Sequence, residues 1–169
     1  MRTEILYTIN RWEGGDTLVD NPADPGGLTK YGISSRYHPD VDIANLTLEE
    51  AIRIYSRDYW TVLNCDAIRL VRARWKLFDM GVNLGTATAA ILTQKILGVP
   101  IDGIVGMVTV GALNLCGDYE LAVKLGFAQA RHYGERVVES PANLVFLRGW
   151  LNRASDVGDD LILKMEKMK

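Results

Sequence analysis

Between two segments of clear helical pattern lies one, residues 14–46, that cannot be a helix. Ile5, Leu6, Ile9 and Trp12 follow a helical stripe from about residue 3 to residue 12. Gly14-Gly15 then stops it, because glycine takes the left-handed conformation of a helix C-terminus without steric cost. On the far side, Thr47-Leu48-Glu49-Glu50 has the form of a capping box and opens a helix running to about Leu63. In between, Pro22, Pro25, Pro39, Gly26-Gly27 and Gly32 leave no helical period, and short β pieces fall around Leu18-Val19 and Tyr31-Ile33. A loop of this length inside a compact domain is either functional or disordered. Its aromatic and aliphatic content argues against disorder.

The rest of the chain predicts helices at 68–83, 87–97, 109–115, 119–138 and 142–167, the last opened by Ser140 as N-cap with Pro141 in the first turn. Gly98, Pro100, Gly103 and Gly106 make 98–106 a turn-rich connection. The fold class is therefore mainly α, with a small irregular or β insertion after the first helix. At 169 residues with 48% hydrophobic and 24% charged content, the chain buries roughly 70% of its unfolded surface and needs no staple. Cys65 and Cys116 make no metal-ligand pattern and read as free thiols, so neither a metal nor a cofactor is expected. A net charge of −2 speaks against a nucleic-acid partner. Without a long apolar run or a signal-peptide core, a product made in the cytoplasm with no stable membrane insertion is expected.

Charge is unevenly placed. Residues 13–50 hold eight acidic groups against Lys30 and Arg36, and residues 51–76 hold six basic groups against Asp58 and Asp66. Either two solvated faces attract each other, or the acidic loop lines a cleft. Glu13 is the residue of interest. It ends the first helix, where the macrodipole places partial negative charge, and it follows Trp12. Both features favour the protonated carboxyl that a general acid requires. Against this stands a plain surface glutamate at a frayed helix end. The loop then offers Asp24-Pro25-Gly26-Gly27-Leu28-Thr29: a second carboxylate, a backbone a ligand can approach closely, and a hydroxyl. An acid, a base or electrostatic carboxylate and a water-holding hydroxyl suffice for glycoside hydrolysis. Separately, Asp24 reads as a turn former and Thr29 as a strand threonine.

These residues carry a resemblance. Trp12-Glu13-Gly14-Gly15, followed by Asn21-Pro22-Ala23-Asp24-Pro25-Gly26-Gly27-Leu28-Thr29-Lys30-Tyr31-Gly32-Ile33-Ser34, resembles glycoside hydrolase family 108, the N-acetylmuramidases of phages and bacteria. The likeness continues through Ile54-Tyr55, Arg57-Asp58-Tyr59-Trp60, and Phe78-Asp79 with Asn83. Leu97-Gly98-Val99 and Asp102-Gly103-Ile104-Val105-Gly106 are similar to the start of that family's predicted peptidoglycan-binding region, and Gly149-Trp150 with Arg153 to its last helix. The resemblance implies a lysozyme-like fold, with residues 1–85 as the catalytic lobe and 86–169 as a helical, peptidoglycan-binding lobe of the same globule. It also implies peptidoglycan glycan strands as the partner and Glu13 as the general acid. Asp16 stands where the family commonly has tyrosine and Trp12 where it often has histidine. The segment between Glu13 and Asp24 is longer than the common form, which leaves Asp24 and Asp20 as rival second carboxylates.

The implied reaction cleaves the β-1,4 bond between N-acetylmuramic acid and N-acetylglucosamine. Glu13 protonates the leaving oxygen, Asp24 activates water or stabilises the oxocarbenium-like centre, and Thr29 holds the water. The stereochemical outcome depends on carboxyl separation, about 5–5.5 Å for retention and about 6.5–9.5 Å for inversion. Tyr31, Tyr59 and Trp60 are candidates to stack on sugar faces, although aromatics at helical spacing are more often core. Asp79 and Asn83 share a helical face, serving either loop backbone groups or a glycan subsite. His38 and His132 have no partner pattern. Two alternatives stand beside hydrolysis: a lytic transglycosylase using Glu13 alone, and a wall-binding or secretion-accessory protein without turnover. A lysis role with holin-dependent release and a remodelling role fit the chain equally.

Overall fold

The computed structural model describes residues 3–20 and 27–168. Asp24, with the rest of Asn21–Gly26, lies outside the described residues. The described residues hold eight α-helices and one two-stranded sheet, in keeping with a mainly α, lysozyme-like fold. None of the helices is long and apolar enough to cross a membrane. The chain divides into two compact units, Met1–Asp58 and Tyr59–Lys169.

In the first unit, α1 (Thr3–Trp12) buries Ile5 and Ile9 of the expected stripe, together with Glu4, Tyr7 and Thr8, whereas Leu6 and Trp12 are only half-buried. Gly14 and Gly15 both have positive φ, and Gly15 N–H donates back to the Ile9 carbonyl at 3.2 Å, closing the helix. The chain then forms a small β element. Val19 pairs with Thr29 through reciprocal backbone bonds of 2.8 and 2.9 Å, and β1 (Thr29–Lys30) pairs antiparallel with β2 (Ile33–Ser34). Tyr31 and Gly32 make the turn with φ of 53° and 74°. Two successive left-handed residues are what a two-residue hairpin turn of the primed type needs to match strand twist. The sequence reading places a strand at Tyr31-Ile33; those residues instead straddle the turn. α2 (Leu48–Tyr55) opens with the capping box: Thr47 Oγ1 accepts from Glu50 N–H at 3.3 Å, and Glu50 Oε2 accepts from Thr47 N–H at 2.9 Å. The helix expected to reach Leu63 ends at Tyr55 and continues as a π-helical turn, Ser56–Trp60.

The second unit is built on α3 (Val71–Leu84), which packs against α4 (Thr86–Leu97) and α6 (Asp118–Glu139). α3 is buried on nearly every side through its middle, with Trp75, Leu77, Phe78 and Met80 fully buried and Lys76 and Asp79 among them, so it needs neighbours on several sides. α5 is Met107–Leu113. The helix predicted at 142–167 is two helices. A 3-10 turn (Pro141–Asn143) leads into α7 (Leu144–Ser155), and α8 spans Asp159–Lys167. The break falls at Gly158, whose φ of 80° is left-handed and whose added Cβ would lie 3.0 Å from Trp75 Cε3. α7 itself ends at Ser155, where Asp156 turns extended with ψ of 115° and its Oδ1 accepts from Gly158 N–H at 2.9 Å. Ser140 makes no side-chain capping bond, and Pro141 opens the 3-10 turn instead.

Candidate active site

Glu13 follows the last residue of α1, held by its own N–H to the Ile9 carbonyl at 3.2 Å. Its Oε1 is buried. Its Oε2 lies against the hairpin turn, because a Cβ on Gly32 would sit 2.6 Å from Glu13 Oε2 and 2.8 Å from Glu13 Cβ. Tyr55 Oη would be 2.7 Å from the same Cβ, and the Tyr55 hydroxyl donates to the Tyr31 carbonyl at 2.9 Å. Tyr31 N–H in turn donates to the Gly15 carbonyl at 3.0 Å. The carboxyl therefore faces a turn that is tied both to the glycines after α1 and to the end of α2. It is not a frayed surface glutamate.

The other residues singled out from the sequence fall as follows. Thr29 opens β1, half-buried, and its hydroxyl donates to the Gly27 carbonyl at 3.1 Å. The oxygen keeps lone pairs with which to accept a hydrogen bond. Tyr31 is 9% exposed, with the Lys30 ammonium 5.4 Å from its ring centroid. The rival carboxylate Asp20 is exposed beside the Val19–Thr29 bridge.

Trp60 and Asn83 belong to the second unit. Trp60 is 3% exposed, its indole N–H donates to Asp66 at 2.8 Å, and it meets Phe78 edge-on at 5.5 Å. A ring so enclosed has no face open to a sugar, so stacking by Trp60 is set aside; helical spacing marked a core aromatic here. Asn83 Oδ1 accepts from the Tyr133 hydroxyl. Asp79 pairs with Arg153 of α7, Nε to Oδ1 at 2.9 Å, and not with loop backbone. Lys76 lies 3.8 Å from Asp79 Oδ2 and donates to the Arg153 carbonyl at 2.8 Å. Burial pushes the Lys76 ammonium below its ordinary value while Asp79 pulls it back up. Burial likewise pushes the Tyr133 phenol up to about 12.

Charges that looked like a possible cleft lining are partly committed to local structure. The Thr47 hydroxyl and backbone hold Glu50 below the usual carboxylate range, and Asn45 does the same for Asp42. Among the basic residues, Arg72 pairs with Asp159, and Arg74 donates to the Ile68 carbonyl at 3.1 Å. Among the described residues no cluster of His, Cys, Asp or Glu could hold a metal ion. Cys65 and Cys116 are both free thiols.

Two residues to which the sequence reading gave no site role organise structure around these motifs. Tyr55 is one; only its distance in space from Gly32, not its position in the chain, shows its place. Gln94 is the other. It is fully buried on α4, donates to Asp102 Oδ1 at 2.7 Å and to the Ile104 carbonyl at 2.9 Å, and accepts from Asp102 and Gly103 N–H at 3.1 and 3.0 Å. A glutamine on the buried side of a helix, just before a Gly/Pro-rich loop, was the available signal.

Residues 6–85 match the family model described as Glycosyl hydrolase 108, and residues 88–155 match the one described as Predicted Peptidoglycan domain. A solved structure from Brucella abortus, that of SagA, is similar at 26% identity and a TM-score of 0.75, over 95% of this chain and 92% of that one. None of the curated proteins matches this chain.

Proposed function

Because this chain belongs to the glycosyl hydrolase 108 family, with a predicted peptidoglycan domain after the catalytic region, we propose that it cleaves the β-1,4 bond between N-acetylmuramic acid and N-acetylglucosamine, with Glu13 as general acid. That it is a glycoside hydrolase, and that peptidoglycan is its polymer, follows from the family and the domain themselves.

The observation that supports Glu13 is the way its carboxyl is held. One oxygen is buried and the other rests against the hairpin turn at Gly32. A proton donor must stay within hydrogen-bond reach of the leaving oxygen through the reaction, and a fixed carboxyl satisfies that where a swinging one does not. In the proposed reaction Glu13 gives its proton to the bridging oxygen as positive charge builds at the anomeric carbon. A second carboxylate, Asp24 or Asp20, activates water or stabilises that centre. Thr29, next to the turn, accepts a hydrogen bond from the attacking water. Tyr31, one residue from Gly32, contacts the sugar at the rim. Trp60 and Asn83 have no part in this reading.

The test is digestion of purified peptidoglycan by the wild type and by Glu13→Gln, with the released ends identified by mass spectrometry. Glutamine keeps the size and removes the proton donor. Reducing muramic ends from the wild type, and a loss of at least about a hundredfold in Glu13→Gln, are the expected result. Anhydro-muramic ends would mean that the sugar's own hydroxyl attacks, making the protein a lytic transglycosylase. Full activity in Glu13→Gln would remove Glu13 from the mechanism.

A further inference from the structure

We propose that Tyr55 is a positioning residue for Glu13, acting through the Tyr31 carbonyl and the bare Cα of Gly32; this rests on the assignment of Glu13 as the acid. Tyr31 is one of two non-glycine residues with positive φ among those described, at 53°. For a side chain of that size the left-handed region is unfavourable, and it persists only where the surroundings over-determine it. Here the Tyr31 residue is clamped on both sides. Its N–H goes to the Gly15 carbonyl, two residues past Glu13, and its carbonyl accepts from the Tyr55 hydroxyl at 2.9 Å, twenty-four positions away in sequence.

The carbonyl end of that clamp is the peptide leading into Gly32, so the Tyr55 hydroxyl sets where the Gly32 Cα lies. That Cα is the surface against which the Glu13 carboxyl rests. A Cβ there would come within 2.6 Å of Glu13 Oε2 and 2.7 Å of Tyr55 Oη, closer than side-chain atoms pack. Glycine is required for the contact as well as for its φ of 74°. Tyr55 is itself 2% exposed, so it acts without touching substrate. Without the hydroxyl, the strained turn is released on one side and the acid loses the surface that fixes its height. Displacement of a reacting group by about 1 Å costs on the order of a hundredfold in rate.

The experiment compares the full-length wild type, Tyr55→Phe, Glu13→Gln and the double variant on soluble glycan strands freed of their peptides by an amidase. Tyr55→Phe is expected to lower kcat about tenfold with KM within about twofold, because a displaced acid weakens the transition state and not ground-state binding. In the Glu13→Gln background the same change should cost nothing further in residual turnover, because its effect runs through the acid. Gly32→Ala should lose at least as much as Tyr55→Phe. Should it fail to fold, the Tyr55 pair of measurements decides alone. Full kcat in Tyr55→Phe, with Glu13→Gln inactive, overturns the positioning role and leaves the acid in place. An equal loss in both backgrounds overturns it too, since that marks a general structural effect. Full turnover in Glu13→Gln overturns both assignments.

Discussion

At the scale of single residues, Glu13 and Asp79 are held in different ways. Glu13, the proposed acid, is half-buried at the end of α1 with one oxygen against the turn at Gly32. Asp79 is fully buried beneath Arg153 and Lys76. Asp79→Asn removes the anion that both cations face and leaves excess positive charge in the interior. Breaking a buried pair in this way costs about 3–5 kcal/mol, far more than an exposed pair would. Urea unfolding of the two proteins should show it as a lowered midpoint with unchanged slope. A change under about 1 kcal/mol would mean that the network is solvated. The sequence placed Asp79 and Asn83 on one helical face but could not name Arg153 or Tyr133 as their partners, since those residues lie far along the chain.

At the scale of elements, connections depend on single side chains that reach across. The 98–106 connection has no regular structure of its own, yet Gln94 binds it at Asp102, Gly103 and Ile104 from within α4. Asp102 in turn accepts from Ile104 N–H at 2.9 Å, and its carboxyl is held below the usual range, chiefly by the Gln94 amide. Gln94→Leu keeps the volume and strips these partners. With the part-buried backbone groups of residues 102–104 losing their partners, the expected loss is about 1–2 kcal/mol. Amide hydrogen exchange should speed up at residues 102–104 first, ahead of α4 itself. Unchanged protection there would show that the loop is held by its apolar contacts instead. Capping boxes and glycine stops were legible from the sequence because they are local. The α7–α8 break is local as well, with Gly158 at a φ of 80° and its N–H donating to Asp156 Oδ1 at 2.9 Å, but the apolar period running through it hid that signal.

At the scale of the whole molecule, family and packing draw the division differently. The glycosyl hydrolase match runs to residue 85, whereas the compact units divide after Asp58, so α3 belongs to the first part by family and to the second by packing. α3 packs with the second unit because its buried surface is covered by α4 and α6. Net charge also acts at this scale. At −2 the chain has no general attraction to an anionic wall. Association of the Glu13→Gln chain with sacculi should therefore change less than about threefold between 50 and 200 mM salt, since screening weakens only long-range charge. Co-sedimentation measures this, and a steep loss with salt would point to binding through a basic patch.

What the sequence determined by itself was everything set by neighbours within a few residues: the helical periods, the glycine stop after Glu13, the capping box at Thr47, the presence of an irregular insertion and the motif that carries the family. Those follow from backbone sterics and local hydrogen bonds, which need no knowledge of the fold. Only the tertiary structure decided that Glu13 rests on Gly32, that Tyr55 holds the turn, that Trp60 is core and that Asp79 answers to Arg153. Each of these depends on which residues meet after the loops close. Loop closure is governed by the packing of the whole unit and leaves no periodic trace in the chain.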